Sequence, residues 1–194
     1  VENVASRIEN LAQPDEILLS RSTYEDVSGS EDVLCRVHGT FPVKGKRGAW
    51  AKGLGIKDLT KEKADVLFHV GCLTSYDPSM QKLAKATAKI LQKAGVDFGI
   101  AGDAETCCGG RAYQMGYEDD FLKQAEKNMA MAKKAGVHTI VTACADGHQA
   151  FKVLYDKYKL IGDIRVLHIA EYIDRLVREG KLKMNRKVNL NVTY

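Results

Sequence analysis

The sequence predicts an α/β fold in which a parallel sheet is covered by helices on both faces. From residue 64 onward, short apolar runs alternate with longer segments of helical periodicity. Strands separated by whole helices are joined by crossover connections, which place neighbouring strands parallel. We therefore predict a Rossmann-like sheet flanked by helices, preceded by a smaller α+β segment.

Each element of the alternating region has its own signal. Short apolar runs of buried-strand character predict strands over residues 65–70, 96–101, 139–143, 165–169 and 188–194. Longer periodic segments predict helices over residues 80–94, 118–135, 146–158 and 171–179. Three of these helices are followed by a glycine, a common helix stop signal.

The composition and periodicity change near residue 50, which predicts three segments. Residues 1–52 contain short strand and helix patterns of α+β type. Residues 53–63 are rich in glycine and charge and predict a polar linker. Residues 64–194 form the predicted α/β domain.

Composition excludes several classes of function. Hydrophobic residues make up 45% of the chain and charged residues 28%, as in ordinary globular proteins. The net charge is +4 and the lysines are spread along predicted helices, so we expect no nucleic-acid partner and no direct membrane insertion. The sequence shows no signal peptide and no apolar run long enough to cross a bilayer, which favours a cytoplasmic location.

Four of the five cysteines follow predicted strands. Cys72 follows the first strand of the α/β domain, Cys107 and Cys108 follow the second, and Cys144 ends the third. Loops after parallel strands emerge at the carboxyl edge of the sheet, where such folds bind ligands. An odd cysteine count without a secretion signal fits a disulfide framework poorly and fits thiolate ligation of a metal well.

Thiolates narrow the choice of metal. Soft sulfur ligands select iron–sulfur clusters, zinc or Cu(I) over hard cations. Gly71, Gly109 and Gly110 let the backbone approach a bulky cluster, and their amides can donate to its sulfides. A structural zinc site with four thiolates stays open as an alternative.

Three segments carry a family pattern: residues 66–72 (VLFHVGC), residues 107–109 (CCG) and residues 140–144 (IVTAC). Because of these three segments, residues from about 53 to 194 resemble one CCG domain, the cysteine-rich module of heterodisulfide reductase catalytic subunits and related iron–sulfur oxidoreductases. The family pattern is a cysteine, a long gap, Cys-Cys-Gly, a second long gap and Cys-x-x-Cys. The resemblance implies that a 4Fe–4S cluster is held by Cys72, Cys107, Cys108 and Cys144.

The same resemblance implies partners and chemistry. Such modules usually occur in tandem, receive electrons from other iron–sulfur centres, and reduce disulfides or related acceptors. We therefore expect an electron-donating iron–sulfur or flavin subunit as one partner. A second CCG module or another copy of this chain is the other expected partner.

One departure from the family pattern lies at Gly147, where the last cysteine of Cys-x-x-Cys is expected. A five-cysteine, non-cubane cluster therefore cannot be ligated by this module alone. Three outcomes follow: a four-cysteine cubane cluster, a substitute ligand from Asp146 or His148, or a degenerate site with little metal. We expect the first.

The amino-terminal segment carries a second resemblance, on residues 3–12, 16–20 and 39–46. These segments resemble the carboxyl-terminal part of a class III adenylate/guanylate cyclase domain, which is of ferredoxin-like type. The resemblance implies that Asn3 and Arg7 would steady the ribose and the transition-state phosphate, and that Lys44 would bind the terminal phosphates. The metal-binding carboxylates of a cyclase are missing from this sequence, so we expect no cyclase activity.

Three hypotheses for function follow from these patterns. The first is an iron–sulfur redox module that passes electrons to a disulfide or related acceptor. The second is a nucleotide-binding regulatory segment derived from a cyclase. The third is a structural zinc domain that serves as an interaction module.

Overall fold

A computed structural model describes residues 47–184 and the single position Thr23. Its contacts divide the chain into two compact units, residues 1–46 and residues 47–194. Within residues 47–184 of the second unit, five parallel strands form a sheet in the order β1-β3-β2-β4-β5. The strands are β1 Lys57–Asp58, β2 Val66–His69, β3 Phe98–Ile100, β4 Thr139–Thr142 and β5 Arg165–His168.

Helices connect the strands and cover the sheet. The α-helices are α1 Cys72–Tyr76, α2 Gln81–Lys93, α3 Gly110–Gln114, α4 Glu118–Lys134, α5 Ala145–Gln149, α6 Tyr155–Lys157 and α7 Ile169–Arg178. Short 3-10 turns lie at Ala49–Ala51 and Gly102–Ala104, and a wider π-type turn spans Ala150–Leu154 between α5 and α6. Within residues 47–184, no helix is both long and apolar enough to cross a membrane.

The sheet is buried on both faces, which explains the apolar runs in the sequence. All four residues of β2 are buried, and side chains along it alternate between two hydrophobic clusters. Val66 and Phe68 pack with residues of α2 and α7 on one face. Leu67 and Ile140 pack with residues of α4 and the aromatic residues of the α5–α6 region on the other.

The structure confirms the predicted α/β class and most element positions. Four predicted strands and four predicted helices are present among the described residues, with ends that differ by one or a few residues. The predicted helix over residues 146–158 is interrupted by the π-type turn. The predicted strand over residues 188–194 lies outside the described residues, and so does the α+β segment up to residue 46, apart from Thr23.

The segment between residues 47 and 63 differs from the sequence prediction. A linker is predicted over residues 53–63, whereas Lys57–Asp58 pairs with β3 as an edge strand and Leu59 is buried. Trp50, predicted to lie in the preceding domain, is buried against Phe68 with ring centroids 6.3 Å apart. A two-residue strand is too short to show periodicity, so the sequence signal is absent there.

Strand order positions the site. In the sheet, β2 lies between β3 and β4. The chain passes from β2 to β3 on one side and then crosses back to β4 on the other side of β2. The chain therefore turns in opposite directions after β2 and β3, which creates a switch point where open α/β sheets bind ligands. The loops that follow β2, β3 and β4 all leave the same edge, and these loops carry the four cysteines.

Candidate metal centre

The four cysteines lie together at the carboxyl edge of the sheet. Cys72 is the first residue of α1, Cys107 and Cys108 lie between β3 and α3, and Cys144 directly precedes α5. A Cβ built on Gly71 would lie 4.0 Å from Cys144 Cβ, so the loops after β2 and β4 are in contact. All four cysteines are half-buried and carry free thiols.

Three of the thiols form a chain of side-chain contacts. The Cys72 thiol interacts with Cys107, and this contact, with burial, raises the pKa of Cys72 far above its usual value. Cys107 interacts in turn with Cys108, which raises the pKa of Cys107. The contact with Cys107 lowers the pKa of Cys108, although burial opposes this effect.

This order predicts the reactivity of the metal-free thiols. A lower pKa gives a larger thiolate fraction at any pH, and the thiolate is the nucleophile. Among Cys72, Cys107 and Cys108, we expect iodoacetamide to modify Cys108 first and Cys72 last below about pH 9 in the reduced, metal-free chain. Time-resolved alkylation followed by peptide mass spectrometry tests this order, and faster labelling of Cys72 would contradict it.

Backbone amides point at the sulfur atoms. Gly147 N–H donates to Cys144 Sγ at 3.5 Å. The amides of Leu73, Gly109 and Gly110 hydrogen-bond Cys72, Cys107 and Cys108, and each lowers the pKa of its thiol. Such N–H···S contacts favour the thiolate form that metals bind, and in clusters they raise the reduction potential.

The turn after Cys108 depends on glycine. Gly109 has a φ of 77°, a left-handed conformation that L side chains rarely adopt. A Cβ at this position would lie 2.8 Å from Phe121 Cδ2 and 3.2 Å from Phe121 Cα in α4. The absence of a side chain therefore allows the cysteine loop to pack directly on α4.

Two buried polar residues that no sequence pattern marks hold the loop of Cys107. The first is Asn128 in α4, which is 1% exposed. Its side-chain oxygen accepts from Thr106 N–H at 3.1 Å, and its amide donates to Cys107 O at 2.9 Å and to Tyr155 Oη at 3.2 Å. The side chain therefore satisfies the backbone on either side of the Thr106–Cys107 peptide.

Replacing Asn128 by alanine should destabilise the domain by on the order of 3 kcal/mol, because it leaves buried backbone groups of the cysteine loop unpaired. Denaturant unfolding monitored by circular dichroism measures this change. Lys127→Ala, at the exposed neighbouring position of the same helix, is the matched control and should change stability little. Equal stability of the two variants would contradict the assignment.

The second buried polar residue at the loop of Cys107 is Glu105, whose side chain is 1% exposed. One carboxylate oxygen, Oε2, accepts from Val70 N–H at 2.9 Å, and the other, Oε1, accepts from Gly71 N–H at 2.9 Å. Arg47 Nη1 lies 3.1 Å from Oε1. A buried carboxylate has no periodic sequence signal, so only the fold reveals it.

His69 lies nearby and is also buried. Burial lowers the pKa of His69 and keeps its imidazole neutral, and Nε2 lies 3.3 Å from Thr106 O.

The two substitute ligands considered from the sequence have other contacts. The Asp146 carboxylate lies 3.0 Å from Arg111 Nη2 at the surface. His148 Nε2 lies 3.2 Å from Glu171 Oε2, and its ring packs edge-on against His168. A Cβ at Gly147 would lie 3.9 Å from Cys144 Sγ, so residue 147 occupies a position beside the thiols.

The donor set is of the kind that both iron–sulfur clusters and zinc use. Four soft, half-buried thiols suit iron–sulfur or zinc chemistry. Within residues 47–184, no three His, Cys, Asp or Glu side chains converge on one point as a single ion requires. In a cluster each thiolate binds a separate iron, so the ligands need not share one point.

The remaining predicted site residues lie outside the described part of the chain. These are Asn3, Arg7 and Lys44 of the cyclase-like segment, together with the predicted non-ligand Cys35. Their roles stay predictions.

Fold and site together define an α/β protein with a four-thiol centre at the switch point of a parallel sheet. Residues 66–152 match the family model described as CCG, cysteine-rich domain. This match includes all four cysteines of the centre and extends from β2 into the π-type turn. No solved structure matches the chain significantly.

Several curated proteins are similar to the chain. It is 36% identical over 140 residues to one subunit of the dihydromethanophenazine:CoB–CoM heterodisulfide reductase of Methanosarcina mazei, an alignment that covers 69% of this chain and 33% of that protein. It is 35% identical over 141 residues to the probable iron–sulfur-binding oxidoreductase FadF of Bacillus subtilis, and this alignment covers 72% of this chain and 20% of FadF. It is 30% identical over 154 residues to EtfAB:quinone oxidoreductase of Syntrophomonas wolfei, and this alignment covers 76% of this chain and 21% of that protein.

The chain thus spans only between a fifth and a third of the length of these relatives. Their names describe oxidoreductases or iron–sulfur proteins, which agrees with the resemblance of residues 53–194. The resemblance of residues 1–50 to a cyclase finds no support in these relatives.

Proposed function

We propose that this chain is an iron–sulfur electron-transfer module in which Cys72, Cys107, Cys108 and Cys144 hold a 4Fe–4S cluster. The observation that carries the proposal is the convergence of thiols from three separate loops at one edge of the sheet. Bound there, a cluster would supply a centre that accepts and releases single electrons. The similarity to iron–sulfur oxidoreductases supports the same conclusion.

Residues around the thiols would stabilise such a centre and shield it from water. The amides of Leu73, Gly109, Gly110 and Gly147 would stabilise negative charge on sulfur as electrons arrive. Asn128 and Glu105 hold the cysteine loops from within the core, which limits their reorganisation between redox states. The pocket is half-buried, so the thiols are shielded from bulk water yet lie close to the surface.

Surface exposure beside the centre is consistent with a partner that exchanges electrons. Leu73, adjacent to Cys72, is 53% exposed, and Met115, at the end of α3, is 71% exposed. We propose that an iron–sulfur or flavin subunit supplies electrons and that a disulfide or related compound accepts them. The names of the relatives include both a heterodisulfide reductase and a quinone oxidoreductase, and a shared role in passing electrons accommodates both.

Redox cycling of the anaerobically reconstituted chain tests this function. We expect broad visible absorption that bleaches with dithionite and returns with an oxidant, together with an EPR signal of one paramagnetic cluster in one redox state. Cycling with a disulfide and with a quinone as oxidants distinguishes the acceptor classes. Absorption that does not respond to reductant would contradict the proposal.

A further inference from the structure

A buried ion pair joins the segment before the sheet to the cysteine centre. Arg47 and Glu105 are 3.1 Å apart, and their side chains are 4% and 1% exposed. Arg47 lies outside the stretch of residues 66–152 that matches the cysteine-rich family model. Its neighbour Gly48 donates to Asp103 Oδ1 at 3.0 Å, so the segment is anchored on the loop that follows β3.

Glu105 connects two of the three cysteine loops. It lies two residues before Cys107, yet both of its carboxylate oxygens accept from the backbone before Cys72, at Val70 N–H and Gly71 N–H. A carboxylate that accepts two backbone N–H groups is held firmly, because charge-assisted hydrogen bonds are stronger than neutral ones. The position of Cys72 relative to Cys107 therefore depends on one buried side chain.

Arg47 adds a positive charge beside the helix that begins at Cys72. Its guanidinium lies 5.3 Å from the ring centroid of Tyr76 in α1, the helix that begins at Cys72. Charges interact strongly in a poorly solvated interior, so the pair presents two opposite charges to the centre at short range.

We propose that Arg47 and Glu105 form a positioning pair that sets the relative placement of Cys72 and Cys107 and balances charge beside the redox centre. This inference rests on the proposed function. When both residues are present, the positive charge of Arg47 and the negative charge of Glu105 largely cancel at the centre. When one of the two is replaced by a neutral residue, the charge of the remaining one acts on the centre without compensation. The sign of the resulting change in reduction potential then depends on which partner is removed.

Potentiometric titration of the reconstituted full chain tests the charge balance. Arg47→Met should lower the midpoint potential, because an unbalanced carboxylate opposes the arrival of an electron. Glu105→Gln should raise it, because the guanidinium remains. Arg47→Lys, which keeps the charge, and the double variant should both stay close to the parent. Shifts of the two single variants in the same direction, or no shift in either, would overturn the charge-balancing role.

Hydrogen exchange tests the positioning role without a cluster. In the full chain as purified, Glu105→Ala should speed exchange of the Val70 and Gly71 amides about tenfold or more, because each loses a charge-assisted hydrogen bond. The amide of Ile140 in β4 serves as the internal reference. Unchanged exchange at both amides would overturn the positioning role. If the parent binds no iron, the proposed function and the charge-balancing role both fail, and the exchange result still decides the positioning role.

Discussion

Replacement of Cys107 or Cys144 by serine is expected to abolish cluster binding. Serine retains the shape of the side chain but replaces a soft, readily ionised thiol by a hard oxygen that binds iron–sulfur clusters weakly. Cys107 lies at the centre of the thiol chain, and Cys144 is the ligand that the loop after β4 would supply. We expect either variant to lose most of the iron and visible absorption of the parent.

Iron content and absorption spectra after anaerobic reconstitution measure this effect. Cys35→Ser is the matched control, since Cys35 is predicted to be an isolated cysteine without a ligand role. Its spectrum and iron content should equal those of the parent. A Cys144→Ser variant with full iron loading would exclude Cys144 as a ligand and would direct attention to Asp146 and His148.

Gly109→Ala is expected to have the second largest effect. The substitution forces an alanine into a left-handed conformation at a φ of 77°, which costs roughly 1–2 kcal/mol. It also places a Cβ 3.2 Å from the backbone Cα of Phe121, which a side-chain rotation cannot relieve. The loop of Cys107 and Cys108 must therefore shift away from α4, and we expect loss of stability together with reduced iron loading.

A matched glycine separates these two costs. Gly116 has a φ of 87°, but a Cβ there would meet no atom within 4 Å. Gly116→Ala should therefore show only the conformational cost and should keep its iron. Thermal unfolding and iron content of both variants provide the comparison, and equal behaviour of the two would show that the contact with Phe121 does not shape the cysteine loop.

The sequence predicts the sheet and the cysteine positions because both depend on strong local patterns. Buried parallel strands appear as short apolar runs, and the ends of β2, β4 and β5 lie within one residue of the predicted ones. Parallel topology then brings the loops after β2, β3 and β4 to one edge. The gathering of Cys72, Cys107, Cys108 and Cys144 follows from that topology and not from their spacing alone.

Elements too short to repeat an apolar pattern escape prediction. The helices α1 and α3 each contain five residues, and β1 contains two, so none shows a recurring apolar pattern. Helix α1 begins at Cys72, and α3 begins two residues after Cys108. Local patterns are weakest there, as expected where function competes with regular structure.

Buried polar residues are the other part that the sequence does not reveal. Glu105 binds backbone amides 34 and 35 residues away, and Asn128 binds the backbone 21 and 22 residues away. In the sequence, both resemble ordinary polar residues at a loop and on a helix. Their roles depend on contacts between distant segments, which become visible only when the fold is known.

Metal analysis of the full chain, purified and kept under anaerobic conditions, tests the central claim most directly. Iron, zinc and acid-labile sulfide are measured together for each chain. We predict about four irons and four sulfides per chain, as a four-cysteine cubane cluster requires, with little zinc. Stoichiometric zinc without sulfide, or a chain that binds no metal even after reconstitution, would contradict the account.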